Sequence, residues 1–259
     1  GTNLITRLLE DGHEVFSLDN YSTGFTKNHQ DGCVYINTEI SSNPHFEHIM
    51  DIPDVIFHMA ALARIQPSII KPHITLQNNF MSTLNILDYA REHNSQVIYA
   101  GSSTRHHGIF NSPYAWSKLA GEHLCELYST LYDLNTSICR FYNVYGPYEP
   151  LDEKFGNVIG IWRLKAMRGD PLPIVGDGEQ RRDFTHVDDI VDGIIKISNS
   201  NIEHEDAWEI GSGINYSINE LFEMFKKRFN VTSVSIEDQP GNYRKTLRTN
   251  DDMLNKLNW

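Results

Sequence analysis

Short apolar runs alternate with longer segments of helical spacing along the first 145 residues of the chain. Residues 54–61 and 96–101 are almost continuously apolar, whereas residues 74–93 between them place apolar side chains three or four positions apart. A continuous apolar run is typical of a strand covered on both faces, and such strands occur in parallel sheets whose connections are helices. The sequence therefore predicts an α/β fold built on a parallel sheet.

The first nineteen residues add a more specific signal. Gly1–Gly12 has the pattern of an amphipathic helix that ends at a glycine, and His13–Asp19 that of a strand with an acidic end. These elements form the second half of a nucleotide-binding βαβ unit, in which an acid accepts the ribose hydroxyls about 20 residues after a glycine-rich turn. Asp19 lies eighteen residues after Gly1 and would repel a 2′-phosphate, which favours NAD over NADP. An ordinary turn-capping carboxylate is the alternative.

In this architecture a strand and a Gly-x-x-Gly-x-x-Gly turn precede the first helix, with Gly1 as the third glycine. That strand is central in the sheet order 3-2-1-4-5-6. The sequence begins at Gly1. We therefore expect the first strand and its glycine-rich turn to be missing and the sequence to be a fragment.

The remaining elements follow the order of a doubly wound, Rossmann-like sheet. Strands are predicted at residues 33–37, 54–61, 96–101 and 136–142, with helices at residues 74–93 and 114–132. After residue 145 the alternation loosens at Gly146–Pro150, and helices follow at residues 158–167, 188–198, 218–229 and 251–257. We predict a Rossmann-like domain over residues 1–147 and a smaller, interleaved α/β substrate lobe over residues 148–259.

Composition excludes several classes of protein. The 259 residues carry a net charge of −12, which argues against a nucleic-acid partner. No run approaches the roughly 18 apolar residues of a membrane span, so no membrane contact is predicted. Cys33, Cys125 and Cys139 lack the spacing of a metal site. We therefore expect no metal and reduced thiols in a cytoplasmic protein.

A pattern of three polar residues indicates proton transfer from an alcohol. Ser103 follows a predicted strand, and Pro113 is suited to the first position of a helix, on which Tyr114 and Lys118 share a face. A phenol has a pKa near 10 and is a poor base, but a nearby Lys⁺ and a bound nicotinamide cation stabilise the phenolate. Tyr-x-x-x-Lys alone is more often a surface pair, so the assignment depends on the rest of the chain.

Other segments supply that support. They are Leu18–Gly24, His58–Ala61, Ser102–Ser103, Tyr114–Lys118, Arg140–Pro147, Gly176–Gly178 with Arg182–Phe184, and Ile210–Gly213. In this order and spacing, the chain resembles the extended short-chain dehydrogenase/reductase family over essentially its whole length. Within that family it is similar to the NAD-dependent nucleotide-sugar epimerases and dehydratases.

The resemblance implies roles for individual residues. Tyr114 is then the general base and acid, Lys118 tunes it and binds the nicotinamide ribose, and Ser103 assists at the sugar hydroxyl. The implied NAD-binding residues are Gly1, Asp19, Asn20, Glu39, Ile40, Met59, Ala60, Ala61, Asn79, Tyr114, Lys118 and Phe141. The implied substrate-binding residues are Ser103, Asn143, Asn157, Val158, Arg182, Gln239 and Asn242.

The resemblance also implies a reaction and partners. A nucleotide-diphosphate sugar is oxidised at C4, the 4-keto sugar rotates, and hydride returns to its other face, so that NAD ends unchanged. The implied assembly is a homodimer through the helices at residues 74–93 and 114–132. The alternatives are a 4-ketosugar reductase or dehydratase of the same family, and a catalytically silent NAD-binding fragment.

Departures from the family pattern narrow the choice among the family's reactions. Thr104 and Arg105 stand where the family's dehydratases have acidic residues and its sugar-acid decarboxylases have a Glu, which favours an epimerase. Tyr114 follows Ser103 by only eleven positions, and the loop between them carries Arg105-His106-His107. The two histidines either contact substrate or face solvent. Gln239 and Asn242 replace an Arg and an Asp of the family, which leaves the nucleotide undetermined.

Overall fold

The computed structural model describes residues 1–42, 51–200, 202 and 206–259. The strands are β1 (Val15–Asp19), β2 (Cys33–Asn37), β3 (Val55–His58), β4 (Gln96–Ser102), β5 (Thr136–Phe141), β6 (Asn143–Tyr145), β7 (Leu172–Val175), β8 (Arg181–His186), β9 (Trp208–Ile210), β10 (Asn215–Ser217) and β11 (Ser233–Ile236). The helices are α1 (Thr2–Glu10), α2 (Ile65–Ile70), α3 (Pro72–His93), α4 (Pro113–Tyr132), α5 (Val158–Arg168), α6 (Val187–Ser198), α7 (Ile218–Arg228) and α8 (Asp252–Leu257).

Parallel strands form the centre of the fold, as the sequence predicts. Strands β3, β4, β5 and β9 pair in that order, and β1 pairs with β2 in a separate parallel sheet. Leu18 of β1 and Ile56 of β3 pack against the same hydrophobic cluster, which contains Leu87 and Val97. The α/β prediction is therefore confirmed, and the two sheets share one core.

Local sequence accounts for the ends of the long helices. Ser112 accepts a hydrogen bond from the backbone N–H of Ala115 at 3.1 Å, and Pro113 occupies the first position of α4. Pro72 similarly begins α3. Asn94 and Asp133 end the two helices in the left-handed conformation, with φ of 57° and 54°. Strand β3 ends at His58, three residues before the end of the predicted run.

The second half of the chain contributes to two cores. Trp162 of α5 and Leu221 of α7 lie in a smaller cluster beside the sheet β10-β8-β6. Strand β9 instead extends the main sheet next to β5, and Ile194 of α6 packs against Ile98 of β4. The C-terminal segment is thus interleaved with the first, and the boundary near residue 147 stays a prediction.

Two further features bear on the sequence predictions. Helix α2 was not predicted, because its six residues contain Pro67 and are too short for a helical period to show. Cys125 and Cys139 are buried free thiols, and Cys33 is half-buried and also free. In the part of the chain that the structure describes, no helix is long and apolar enough to cross a bilayer.

A buried ion network joins the main sheet to its neighbours. Arg140 of β5 donates to both carboxylate oxygens of Glu122 on α4 and to Glu209 of β9 at 3.2 Å. It also forms two hydrogen bonds with Asp206, at 2.7 and 2.8 Å. Burial alone would lower the pKa of Arg140, but Glu122 and Asp206 outweigh burial and raise it. A Cβ at Gly101 would lie 2.8 Å from Glu122 Oε1, so glycine leaves room for this pair.

We predict that Arg140→Met destabilises the protein by about 3–5 kcal/mol, because Glu122 and Glu209 would stay buried without their cation. Urea unfolding measures the change. The matched control is Arg7→Met, which removes the exposed pair of Arg7 with Asp11 and should cost about 0–1 kcal/mol. Equal losses in the two variants would contradict a structural role for the network.

Candidate active site

The candidate site lies at the carboxyl edge of the parallel strands, where ligands bind in open α/β sheets. Strand β4 delivers Ser102 to this edge, and Ser103 opens a single 3₁₀ turn, Ser103–His106. The neighbouring strands end there at His58 and Phe141, since Ser102 lies in register with Phe141. The sequence prediction that Ser103 follows a strand is confirmed.

The start of α4 brings Tyr114 to the same place. The Tyr114 hydroxyl donates to Ser102 Oγ at 3.5 Å, and the adjacent Ser103 is 7% exposed. The backbone N–H of Tyr114 donates to Ser68 Oγ of α2 at 3.2 Å, so α2 holds the first turn of α4 in position. Ser102 is therefore a hydroxyl partner of the phenol that sequence reasoning did not single out.

Lys118 lies one turn further along α4 and is 5% exposed. Its Nζ donates to the carbonyl oxygen of Ala100 at 2.8 Å and lies 5.0 Å from the ring centroid of Tyr99. Burial lowers the pKa of Lys118 to about 8, with Glu122 opposing that shift. The ammonium is thus largely charged at neutral pH, although water does not stabilise it.

Arg64 acts electrostatically on Tyr114. Burial raises the pKa of the Tyr114 phenol above its ordinary value, while the hydrogen bond with Ser102 and the charge of Arg64 lower it. Arg64 precedes α2, and its Nε donates to the carbonyl oxygen of Phe155. Nothing in the sequence pattern pointed to Arg64, because its loop meets Tyr114 only in the folded chain.

Asp19 ends β1 and is exposed, and its Oδ1 accepts a hydrogen bond from the N–H of Tyr21 at 2.7 Å. Asn20 next to it donates to Glu39 Oε2 at 2.6 Å. Burial would raise the pKa of Glu39, but hydrogen bonds from Ser41, Asn20 and Asn78 outweigh burial and lower it. Glu39 is therefore ionised at neutral pH and is held by Asn20, the residue after Asp19.

The other predicted cofactor residues differ in exposure. Asn79 is buried and connects two elements, because its Oδ1 accepts from the N–H of Leu62 at 2.8 Å and its Nδ2 donates to Ser117 at 2.9 Å. Ile40 is buried in the core, and its carbonyl accepts from Asn85. The remaining predicted residues are exposed or half-buried at element ends, namely Gly1, Met59, Ala60, Ala61 and Phe141.

Two of the predicted substrate residues have side chains that stabilise the fold. Asn143 donates to the carbonyl oxygen of Asp183 at 3.1 Å and to Thr246 Oγ1 at 3.0 Å. Asn157 caps α5 by accepting from the N–H of Gly160 at 2.8 Å, and it donates to the carbonyl oxygen of Val144 at 2.7 Å. Both asparagines therefore fix the backbone, and Val158 is half-buried at the first position of α5.

Arg182 is the cation among the predicted substrate residues. Burial lowers its pKa, and it donates to the carbonyl oxygen of Arg181 at 2.9 Å. Its guanidinium carbon lies 6.0 Å from the ring centroid of Tyr243. Gln239 and Asn242 are exposed, and both donate to Asp238 Oδ1, Gln239 from its backbone and Asn242 from its side chain.

The short loop after Ser103 is held by a residue that sequence reasoning did not find. His106 Nε2 lies 2.7 Å from Glu209 Oε1, and Tyr142 donates to Glu209 Oε2 at 2.7 Å. Burial would raise the pKa of Glu209, but hydrogen bonds from His106, Tyr142 and Arg140 outweigh it. The Arg105-His106-His107 run marked the loop as unusual, whereas Glu209 carried no signal.

Comparison with known proteins identifies the family. The family model for the NAD dependent epimerase/dehydratase family matches residues 1–211. The chain belongs to this family. UDP-glucose 4-epimerase of Mycolicibacterium smegmatis is 30% identical over 241 residues, which cover 85% of this chain and 76% of that protein.

Other proteins similar to this chain have more than one activity. UDP-glucuronic acid decarboxylase 1 of Xenopus tropicalis is 27% identical over 223 residues, and the match spans 78% of this chain and 52% of that protein. The structure of UDP-glucose 4-epimerase of Thermotoga maritima with UDP-glucose has a TM-score of 0.92 at 25% identity. That match covers 100% of this chain and 89% of the other, so the fold extends through both halves.

The residues at the carboxyl edge fit NAD, the cofactor of the family. Asp19 presents an exposed carboxylate, which suits ribose hydroxyls and would repel a 2′-phosphate. Ala60 and Ala61 follow β3 with small side chains that allow close approach to the backbone. When bound, NAD supplies the hydride chemistry, and the chain supplies orientation and proton transfer.

We predict that Arg64→Gln raises the pKa of the Tyr114 phenol, because it removes a cation that favours the phenolate. The pH titration of isotope-labelled tyrosine by NMR measures the shift, and Tyr114→Phe assigns the resonance. Arg168→Gln is the control, since it removes an exposed arginine that pairs with Glu153 instead. An unchanged titration of Tyr114 in Arg64→Gln would show that the guanidinium does not act on the phenol.

Proposed function

We propose that this protein is an NAD-dependent nucleotide-sugar epimerase acting at C4 through a transient 4-keto sugar. The observation that carries the proposal is the hydrogen bond from the Tyr114 hydroxyl to Ser102 Oγ at the end of β4, with Ser103 next in the chain and Lys118 one turn along α4. Family membership and the similarity to UDP-glucose 4-epimerases support it.

Tyr114 is the proton-transfer group in this proposal. Its phenolate takes the proton of the sugar 4-hydroxyl while the C4 hydrogen leaves as hydride, and it returns the proton when hydride comes back to the other face. The charge of Arg64 favours the phenolate, Lys118 would add to this from one turn along α4, and Ser103 would orient the reacting hydroxyl. Both half-reactions use the same phenol, so the protein needs no external acid.

The cofactor would lie along the carboxyl edge of the strands. Asp19 and Asn20 would bind the adenosine ribose, and Glu39 would lie near the adenine. Lys118 would contact the nicotinamide ribose. The remaining proposed contacts line the groove between these ends through side chain or backbone, namely Gly1, Ile40, Met59, Ala60, Ala61, Asn79, Tyr114 and Phe141.

The substrate would lie across Tyr114 towards the C-terminal segment. Arg182 is the proposed diphosphate-binding cation, since guanidinium suits phosphate oxygens. Asn143, Asn157 and Val158 would shape the wall of the site, because the amide groups of both asparagines already bind the backbone. Gln239 and Asn242 would contact the nucleotide. Because these two residues depart from the family pattern, the identity of the nucleotide base is undetermined.

Thr104 and Arg105 argue against two of the alternatives, a dehydratase and a decarboxylase. A 4,6-dehydratase needs acid-base groups to eliminate water, and the family's decarboxylases use a Glu at this place. Thr104 is buried and uncharged, and Arg105 is exposed and cationic. A 4-ketosugar reductase stays the second candidate, because it would use Ser103, Tyr114 and Lys118 in the same way but consume the reduced cofactor.

The test is incubation of the NAD-loaded protein with UDP-, GDP-, CDP- and dTDP-sugars, with C4 stereochemistry followed by proton NMR. We predict that one C4 pair interconverts with no net change in NADH absorbance. Tyr114→Phe should slow this by about 100-fold or more, since it removes the general base, while Tyr216→Phe serves as control. A stable 4-keto product or stoichiometric NADH consumption would replace the epimerase assignment with dehydratase or reductase.

We also propose a cytoplasmic homodimer. The free thiols support the proposed cytoplasmic location. Helices α3 and α4 leave large apolar side chains exposed, among them Ile74 at 51%, Leu127 at 47% and Leu131 at 62%, which supports a helical interface.

We predict a dimer by light scattering that Leu131→Lys converts to a monomer, because an unpaired charge would enter the interface. The exposed Leu254 on α8 provides the matched control, Leu254→Lys, which should leave the mass unchanged. A monomeric unaltered protein would contradict the proposed assembly.

A further inference from the structure

Three buried polar atoms near the candidate site have no hydrogen-bond partner within the described residues. They are Thr104 Oγ1, His107 Nε2 and Tyr243 OH. More than nine in ten buried polar groups in folded proteins are hydrogen-bonded, because leaving one unpaired costs about 1–3 kcal/mol. The rings of His107 and Tyr243 lie 5.5 Å apart, and Thr104 is three residues before His107, so these unpaired atoms indicate that a ligand completes their hydrogen bonds.

Two of these residues come from the short loop after Ser103. Thr104 follows Ser103 in the 3₁₀ turn, and the backbone N–H of His107 donates to the carbonyl oxygen of Thr104 at 3.1 Å. His106 between them is fixed by Glu209 at 2.7 Å. The loop is therefore anchored from the main sheet, and the positions of Thr104 and His107 are set before a ligand binds.

Tyr243 reaches the same place from the far end of the sequence. A Cβ at Gly241 would lie 2.8 Å from Ile65 Cγ2 and 3.2 Å from the carbonyl oxygen of Asn111, so the segment before Tyr243 packs closely on α2 and on the loop preceding α4. Gln66 donates to the carbonyl oxygen of Pro240 at 2.6 Å. This docking brings the rings of His107 and Tyr243 within 5.5 Å of each other.

The pair lies near the proposed phosphate cation and within electrostatic reach of Tyr114. The Tyr243 ring centroid is 6.0 Å from the guanidinium carbon of Arg182, and Tyr243 interacts electrostatically with Tyr114. A nucleotide sugar with its C4 hydroxyl at Tyr114 and its diphosphate at Arg182 would place the hexose ring between them. His107 and Tyr243 are therefore located to contact the sugar.

The three groups are uncharged at neutral pH. Burial lowers the pKa of His107, as do the charges of His106 and Arg182, against the opposing charge of Glu209. Burial also raises the pKa of Tyr243. A neutral imidazole, a phenol and a threonine hydroxyl can each exchange hydrogen bonds with sugar hydroxyls. They supply no positive charge to neutralise a carboxylate on the sugar.

We propose that Tyr243 and His107, together with Thr104, bind the hydroxyl groups of the substrate's sugar ring and select a neutral hexosyl group over a hexuronosyl group. This inference rests on the proposed function, because it takes a nucleotide sugar as the ligand. It assigns specificity to two segments that lie far apart in the sequence and meet where the segment before Tyr243 packs on α2 and on the loop preceding α4.

The test compares Tyr243→Phe with unaltered protein, because this substitution removes one oxygen and keeps the ring. Isothermal titration calorimetry of the NAD-loaded protein uses UDP-glucose, GDP-mannose and dTDP-glucose, and the tightest of these becomes the probe. We expect Tyr243→Phe to bind the probe about 10-fold more weakly or worse, because a buried polar contact is lost. Tyr216→Phe, at an exposed tyrosine of β10, should bind it normally.

Two further probes show which part of the ligand Tyr243 contacts. The nucleoside diphosphate alone should bind Tyr243→Phe and unaltered protein equally, and the matching glycuronic acid nucleotide should bind unaltered protein more weakly than the hexose. Among 2-, 3- and 6-deoxy forms of the probe, one should abolish the difference between the two proteins. Equal affinity of both proteins for the probe would overturn the proposal, as would an equal loss with the nucleoside diphosphate alone.

These binding measurements are independent of turnover. A protein that binds the probe with the expected pattern but does not change its C4 configuration would end the epimerase proposal and support the sugar contacts. Interconversion at C4 with no effect of Tyr243→Phe on affinity would support the epimerase proposal and end the proposal of the sugar contacts. A melting temperature of Tyr243→Phe near that of unaltered protein ensures that the loss is not one of folding.

Discussion

The buried guanidinium of Arg140 joins the core of the sheet to the turn that begins at Ser103. It contacts Glu122 on α4 and Glu209 on β9, and Glu209 in turn binds His106 and Tyr142. Burying a cation with two carboxylates is tolerable only when their mutual contacts are complete, so these elements have one relative arrangement. Because His106 binds Glu209, the turn that begins at Ser103 is held in position relative to these elements.

Burial also shifts the pKa values of two groups at the candidate site. Burial raises the pKa of Tyr114 and lowers that of Lys118 to about 8, because both charged forms lose hydration. Without a bound cofactor, these two shifts therefore disfavour the ionised pair, a Tyr114 phenolate with a Lys118 ammonium. Arg64 counteracts part of this effect at Tyr114, and a cationic cofactor ring would add to it. In the proposed reaction, the phenol is therefore a better base with the cofactor bound than without it.

Much of the fold follows from local sequence. Ser112 and Pro113 set the start of α4, so the four-residue spacing of Tyr114 and Lys118 is enough to assign both residues to one face of a helix. Continuous apolar runs mark the parallel strands, since both faces of such strands are covered. Strand β9 was not recognised, because its three residues gain a partner only when β5 lies beside them.

The sequence by itself determined the α/β class, the order of the main helices and strands, and the placement of Tyr114 and Lys118 on one face of the helix that follows Ser103. These depend on periodicity, capping and short spacing, which act within a few residues. Tertiary structure alone decided that Arg64 lies near Tyr114, that Glu209 anchors His106, and that Tyr243 meets His107. Those contacts join segments about 50 to 140 residues apart. Chain packing creates them, and no local pattern of residues encodes them.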